Sequence, residues 1–214
     1  MDNLIIRQLD SILKEGELEY EKDFHLEVNH QFLDSKSKEW LGESFEELGG
    51  KEDFPLLNKL KFDFKINRFL IKYDDESHFN RYRLISLRSE VYDQFNFEFL
   101  QGYKRLCRTY EKDCLKVGMQ QRIWFGPTLA QSLFGEGSEP GDFYGVGASG
   151  WRLTAFNDLQ MDLQSRLHGF KLLRISPYET LMTGGSLRRI DQLLINPNEE
   201  TRGMILKWLM RKLA

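Results

Sequence analysis

The stretch Leu60-Lys61-Phe62-Asp63-Phe64-Lys65-Ile66-Asn67-Arg68-Phe69-Leu70-Ile71-Lys72-Tyr73-Asp74 decides how this chain is read. Its first half alternates apolar Leu60, Phe62, Phe64 and Ile66 with Lys61, Asp63 and Lys65, the two-residue period of a strand with one buried face. Asn67-Arg68 supplies a turn, and Phe69-Leu70-Ile71 then reads as a strand buried on both faces. The segment is therefore predicted to be a β-hairpin with charged residues at its ends.

Upstream, Leu4, Ile5, Leu9, Ile12 and Leu13 recur at helical spacing and Gly16 stands where a helix would end, which predicts an opening helix over 2–15. Residues 18–33 alternate as an extended segment, and 35–50 place Trp40, Leu41, Phe45 and Leu48 at helical intervals. Downstream, 78–118 is rich in arginine and tyrosine with a helical period. The Gly/Pro/Ser-rich stretch from Gly126 to Gly150 has little periodicity and reads as a long surface loop. A helix follows over 153–168, capped by Gly169, then a short apolar strand over 170–175. Residues 180–189 contain a Gly-Gly turn and a basic pair, and 199–213 form a terminal amphipathic helix. The expected architecture is α/β, a mixed central sheet flanked by helices. It forms one domain over 1–214, with a helical insertion at about 79–152 and the terminal helix at about 199–213.

Composition narrows the classes. With 214 residues, 41% hydrophobic and 13% aromatic, the chain can bury a sizeable core, which makes a disordered chain a poor reading. It contains no run of about 18 apolar residues, and residues 1–16 mix charged with apolar positions, unlike a secretory signal. A cytoplasmic protein without membrane contact is expected. The net charge of −3 provides no global attraction to nucleic acid, so a polyanion site would have to be a local cluster of cations. Cys107 and Cys114, seven helical positions and so about 10 Å apart, are not expected to be bridged to each other.

The predicted order of helix, strand, hairpin, helix and strand is similar to the αβββαβ core of the PD-(D/E)XK nuclease superfamily. Three segments resemble its small, very-short-patch-repair-like members. They are Phe62-Asp63-Phe64, the run from Ile71 through Lys72, Asp74, Asp75, Glu76 and His78 to Phe79, and the later Leu163, Arg166, Leu167, Gly169, Phe170 and Arg174. The family pattern has a carboxylate where this chain has Lys72, so the acid and lysine stand in reversed order. The resemblance implies a metal-dependent DNA nuclease, in a setting of bacterial genome defence or repair. The alternative it leaves open is a catalytically degenerate interaction or nucleic-acid-binding module in a larger complex, with DNA or a protein as partner.

Phosphodiester hydrolysis needs a divalent cation on hard oxygen ligands. Asp63 and Asp74 are the candidate ligands for Mg²⁺ or Mn²⁺, with Asp75 and Glu76 either further ligands or a solvated acidic turn. Lys72 and Asp74 alternate onto the same strand face, and a closed hairpin brings Asp63 beside them. In this reading Lys72 orients the attacking water or balances the phosphate charge, and His78 shuttles a proton or binds phosphate. A structural Asp63–Lys72 ion pair is the competing explanation, because a buried carboxylate requires a partner. Glu21 is a more distant carboxylate candidate. Arg81, Arg83 and Arg88, interleaved with Tyr82 and Tyr92, and Arg174 on the last strand are the candidate phosphate contacts. Lys104, Arg105, Arg108, Lys171, Arg188 and Arg189 could add to them or be plain surface charge. A salt-dependent RNA binder also fits these cations. Other templates fail: the remaining histidines and the cysteines lack metal-ligand spacing, Gly145–Gly150 lacks the lysine of a phosphate loop, and no G-x-S-x-G elbow occurs.

Overall fold

A computed structural model of the chain describes residues 4–51, 53–119 and 121–214. In chain order the elements are α1 (Leu4–Glu15), β1 (Glu21–Lys22), β2 (His25–Glu27), α2 (Ser35–Glu47), β3 (Lys59–Lys61), β4 (Phe64–Ile66) and β5 (Phe69–Tyr73). Then come α3 (Arg81–Ser86), α4 (Val91–Gln94), α5 (Leu100–Thr109), α6 (Glu111–Gly118), α7 (Gln121–Phe125), α8 (Thr128–Phe134) and α9 (Ser149–Leu167). The chain finishes with β6 (Lys171–Ile175), β7 (Thr180–Thr183), β8 (Ser186–Arg189), α10 (Ile190–Ile195) and α11 (Glu199–Lys212). These elements fall into two compact units. The first holds the chain up to Leu26 together with Lys61–Asp75 and Phe170–Ala214, and the second holds Glu27–Leu60 and Glu76–Gly169.

The first unit is a mixed α/β layer. Its four-stranded sheet has the order β1-β4-β5-β6, antiparallel except for the parallel β5–β6 pair. The predicted hairpin is real, and Asn67 adopts the left-handed conformation (φ 51°) that lets so short a turn reverse the chain. Phe64 and Ile66 from β4, Ile71 and Tyr73 from β5 and Leu173 and Ile175 from β6 share one core cluster. Leu9, Ile12 and Leu13 of α1, Ile190, Leu193 and Leu194 of α10, and Ile205, Trp208 and Leu209 of α11 complete it. Each fully buried aliphatic side chain there contributes roughly 1.5–3 kcal/mol. The terminal helix begins where Asn198 accepts the Thr201 amide at 2.8 Å, an N-cap that ends the preceding loop.

The second unit is mostly helical. Asp34 caps α2 by accepting the Ser37 amide at 2.7 Å, and Asn80 caps α3 through the Tyr82 and Arg83 amides. Its interior is aromatic: Phe45 lies against Phe54, Phe134 and Phe156, and Trp124 lies against Phe143 and Trp151. The nineteen-residue α9 runs through it, starting four residues earlier than its periodicity predicted. The stretch from Gly126 to Gly150, expected to be one long loop, contains the helix α8, whose Ala130, Leu133 and Phe134 are buried. Seven residues between Pro127 and Gly135 are too few to show a helical period among so many glycines.

The glycines of that stretch have structural tasks. Gly145 and Gly147 take positive φ, and a Cβ on Gly150 would stand 2.3 Å from the Ile123 carbonyl oxygen and 2.6 Å from the Gly126 nitrogen. Only glycine lets the start of α9 close onto the end of α7. Cys107 and Cys114 are both free thiols. No helix among the described residues is long and apolar enough to cross a membrane.

Candidate functional site

Strand register assembles the polar cluster of the first unit. Antiparallel pairing sets Phe64 opposite Ile71, and the Asp63 amide donates to the Ile71 carbonyl at 2.9 Å, so Asp63 lies beside Lys72. Parallel pairing sets Lys72 beside Arg174. Register partners on neighbouring strands point to the same side, and Asp74, two residues past Lys72, shares it. Three strands thus bring Asp63, Lys72, Asp74 and Arg174 into one row of alternating charge.

Lys72 Nζ is 3.6 Å from Asp63 Oδ1, and the Tyr73 amide donates to Asp63 Oδ2 at 2.7 Å. Burial pushes the Asp63 carboxyl above the ordinary carboxylate range, against the pull of the Lys72 ammonium and the Tyr73 amide; the charge of Asp74 adds to the rise. Arg174 Nη1 donates to both oxygens of Asp74, at 2.8 and 2.7 Å, and both side chains are 0% exposed.

His78 lies in the second unit, on a single 3-10 turn over Glu76–His78. Its Nδ1 is 2.8 Å from Asp158 Oδ2. Asp158 and Asp162 stand one turn apart on the buried face of α9. Arg83 donates from Nη2 to Asp162 at 2.7 Å and from Nη1 to Ser86 Oγ and Tyr92 Oη, both at 3.1 Å, with its Nε 3.7 Å from Asp158. A guanidinium is thereby held inside a helical unit by two aspartates and two hydroxyls, the kind of satisfaction a buried charge requires.

Within the first unit the structure brings Asp63, Lys72 and Asp74 together; His78 and Glu76 are residues of the second unit. Two expected phosphate contacts need correcting. Arg174 and Arg83 have side chains 0% and 1% exposed; Arg174 donates to Asp74, and Arg83 to Asp162, Ser86 and Tyr92. Arg81 is on the surface, but it is paired bidentately with Glu111 at 2.8 and 3.0 Å and stacked on Phe143. Arg88, Arg105 and Arg108 remain at the surface. Glu21, the more distant carboxylate candidate, is exposed and paired with Lys65. Asp158 and Asp162 escaped the sequence reading; the signal was two acids four residues apart on the face marked by Leu159 and Leu163.

Both Asp74 oxygens accept from a guanidinium and one Asp63 oxygen faces an ammonium, so a divalent cation on these carboxylates would share them with Arg174 and Lys72. Comparison with protein families found that the one described as "Family of unknown function (DUF7255)" matches residues 43–196, more than two thirds of the chain. Neither curated proteins nor solved structures yielded a match.

Proposed function

We propose that this chain, which belongs to the family of unknown function DUF7255, is a nuclease-fold module that binds a protein partner in a larger complex and does not cut DNA. The single observation that carries the reading is the bond of Arg174 to both oxygens of Asp74, with neither side chain exposed. In the PD-(D/E)XK arrangement that the αβββαβ order resembles, the acids at the strand ends gather negative charge for a cation. Here Lys72 and Arg174 stand against Asp63 and Asp74 within the first unit, which weakens the pull of those two carboxylates on a divalent ion. The burial of Arg83 and Arg174 also removes two of the four cations that a DNA contact would have used.

A second reading, hydrolysis with Mg²⁺ or Mn²⁺, draws on one observation. Asp63 is a carboxylate whose ionisation is opposed by burial and by Asp74, and a bound cation would relieve both. Lys72 would then balance charge on the phosphate.

The two readings separate when purified protein is incubated with plasmid or single-stranded DNA and either metal, beside Asp63→Ala and Asp74→Ala. The module reading expects no cutting and no metal-dependent change in melting temperature. Cutting by the native chain that both substitutions abolish would replace it with the hydrolytic one.

A further inference from the structure

The first unit has a surface feature far from its charged cluster in sequence. The β7–β8 hairpin pairs Leu181 with Arg188 and Met182 with Leu187 across the Gly184-Gly185 turn. One face is buried through Leu181. The other leaves Met182 and Leu187 exposed at 59% and 65%, opposite each other on adjacent strands. Beside this hairpin, α11 turns Ile205, Trp208 and Leu209 inward and leaves Met210 43% exposed. Between the two runs a groove of about 620 Å³, walled by Met182, Met204, Leu206 and Met210.

Three of the six methionines of the chain meet in this groove. Unbranched thioether side chains repack around varied apolar shapes, which suits them to a docking surface. The same helix lines the groove with Lys207 and Arg211, four residues and hence one turn apart, both exposed. Among the described residues neither forms an ion pair. The feature is thus an apolar trough with two unneutralised cations at one helical spacing along its wall.

We infer that this groove docks an amphipathic helix of a partner protein, an apolar stripe seated against the three methionines and acidic residues one turn apart facing Lys207 and Arg211. Charge complementarity selects this occupant. A neutral or basic helix would bury the same apolar area but leave the two cations facing nothing or facing like charge, and juxtaposed like charges suppress wrong partners. The inference deepens the module reading and rests on it, because it names the chemical class of the partner.

The probe is a pair of fluorescein-labelled synthetic helical peptides. They share a leucine stripe at i, i+3, i+4 and i+7, and differ only in carrying glutamate or lysine beside it. Anisotropy titration of the native chain should give saturable binding of the glutamate peptide, at least ~10-fold tighter than the lysine peptide and weakening as salt rises. K207E with R211E should invert that preference, and M182E should abolish binding of both peptides. Circular dichroism of each variant, expected to match the native chain, checks folding. Equal binding of the two peptides, or none up to about 1 mM, overturns the inference. So does a concentration-dependent dimer in sedimentation that M182E dissolves, since the occupant would then be a second copy. Metal-dependent DNA cutting in the preceding experiment would sink the module reading without touching these titrations, so the two failures are told apart.

Discussion

Replacing Arg174 by methionine removes a guanidinium that touches both oxygens of a carboxylate with no exposed surface. The pair stands at the end of the β5–β6 ladder, where the Asp74 amide also donates to the Ile175 carbonyl at 2.9 Å. Deleting one partner of a buried ion pair costs about 3–5 kcal/mol, most of it the penalty of the charge left behind. Asp74→Asn keeps the shape and removes the charge, and it should cost a similar amount because the guanidinium then loses the carboxylate it bonds twice. The double variant removes both charges, so its loss should fall short of the sum of the single losses by about 1.5–3 kcal/mol. Urea unfolding of the four proteins, followed by circular dichroism, measures this. A coupling below about 0.5 kcal/mol would refute the argument that these two residues neutralise each other, and with it the main support for a weakened pull on divalent ions.

Three further outcomes are expected. The raised Asp63 carboxyl means that the folded protein holds this proton more tightly than the unfolded chain. That contribution is full below the unfolded value of about 3.8 and is lost as pH climbs through the folded one, by at most about 1.4 kcal/mol per pH unit. Asp63→Asn should flatten urea stability against pH over that window, and an unchanged slope would count against the burial argument. Gly150→Ala forces a Cβ to 2.3 Å from the Ile123 carbonyl and should cost about 1–3 kcal/mol in thermal unfolding; a loss under about 0.5 kcal/mol would mean that α7 and α9 do not close through glycine. Burial pushes the Cys107 thiol up to about 12 and Cys114 is wholly buried, so Ellman's reagent should react slowly with the native protein and rapidly in urea. Fast reaction in the native state would contradict that packing.

Asp63, Lys72 and Asp74 were legible as neighbours before any coordinates, because alternation within a strand and closure of a short hairpin are local rules. The same locality made α1, α2, α9 and α11 readable, each carrying a regular apolar stripe. It failed at α8, where seven residues among glycines carry too little pattern, and at α10, which follows β8 without a break.

The sequence by itself determined the hairpin, the acid and lysine on its facing strands and the apolar stripes of the longer helices. Only the tertiary structure decided which ions neutralise which. Arg174 is one hundred residues from Asp74 and Asp162 is seventy-nine from Arg83, and their pairing follows from parallel strand register in one case and helix packing in the other. An arginine written in sequence is equally a phosphate ligand or a buried counter-ion. What separates the two is whether water still reaches the guanidinium once distant segments have closed over it, and that is a property of the folded chain.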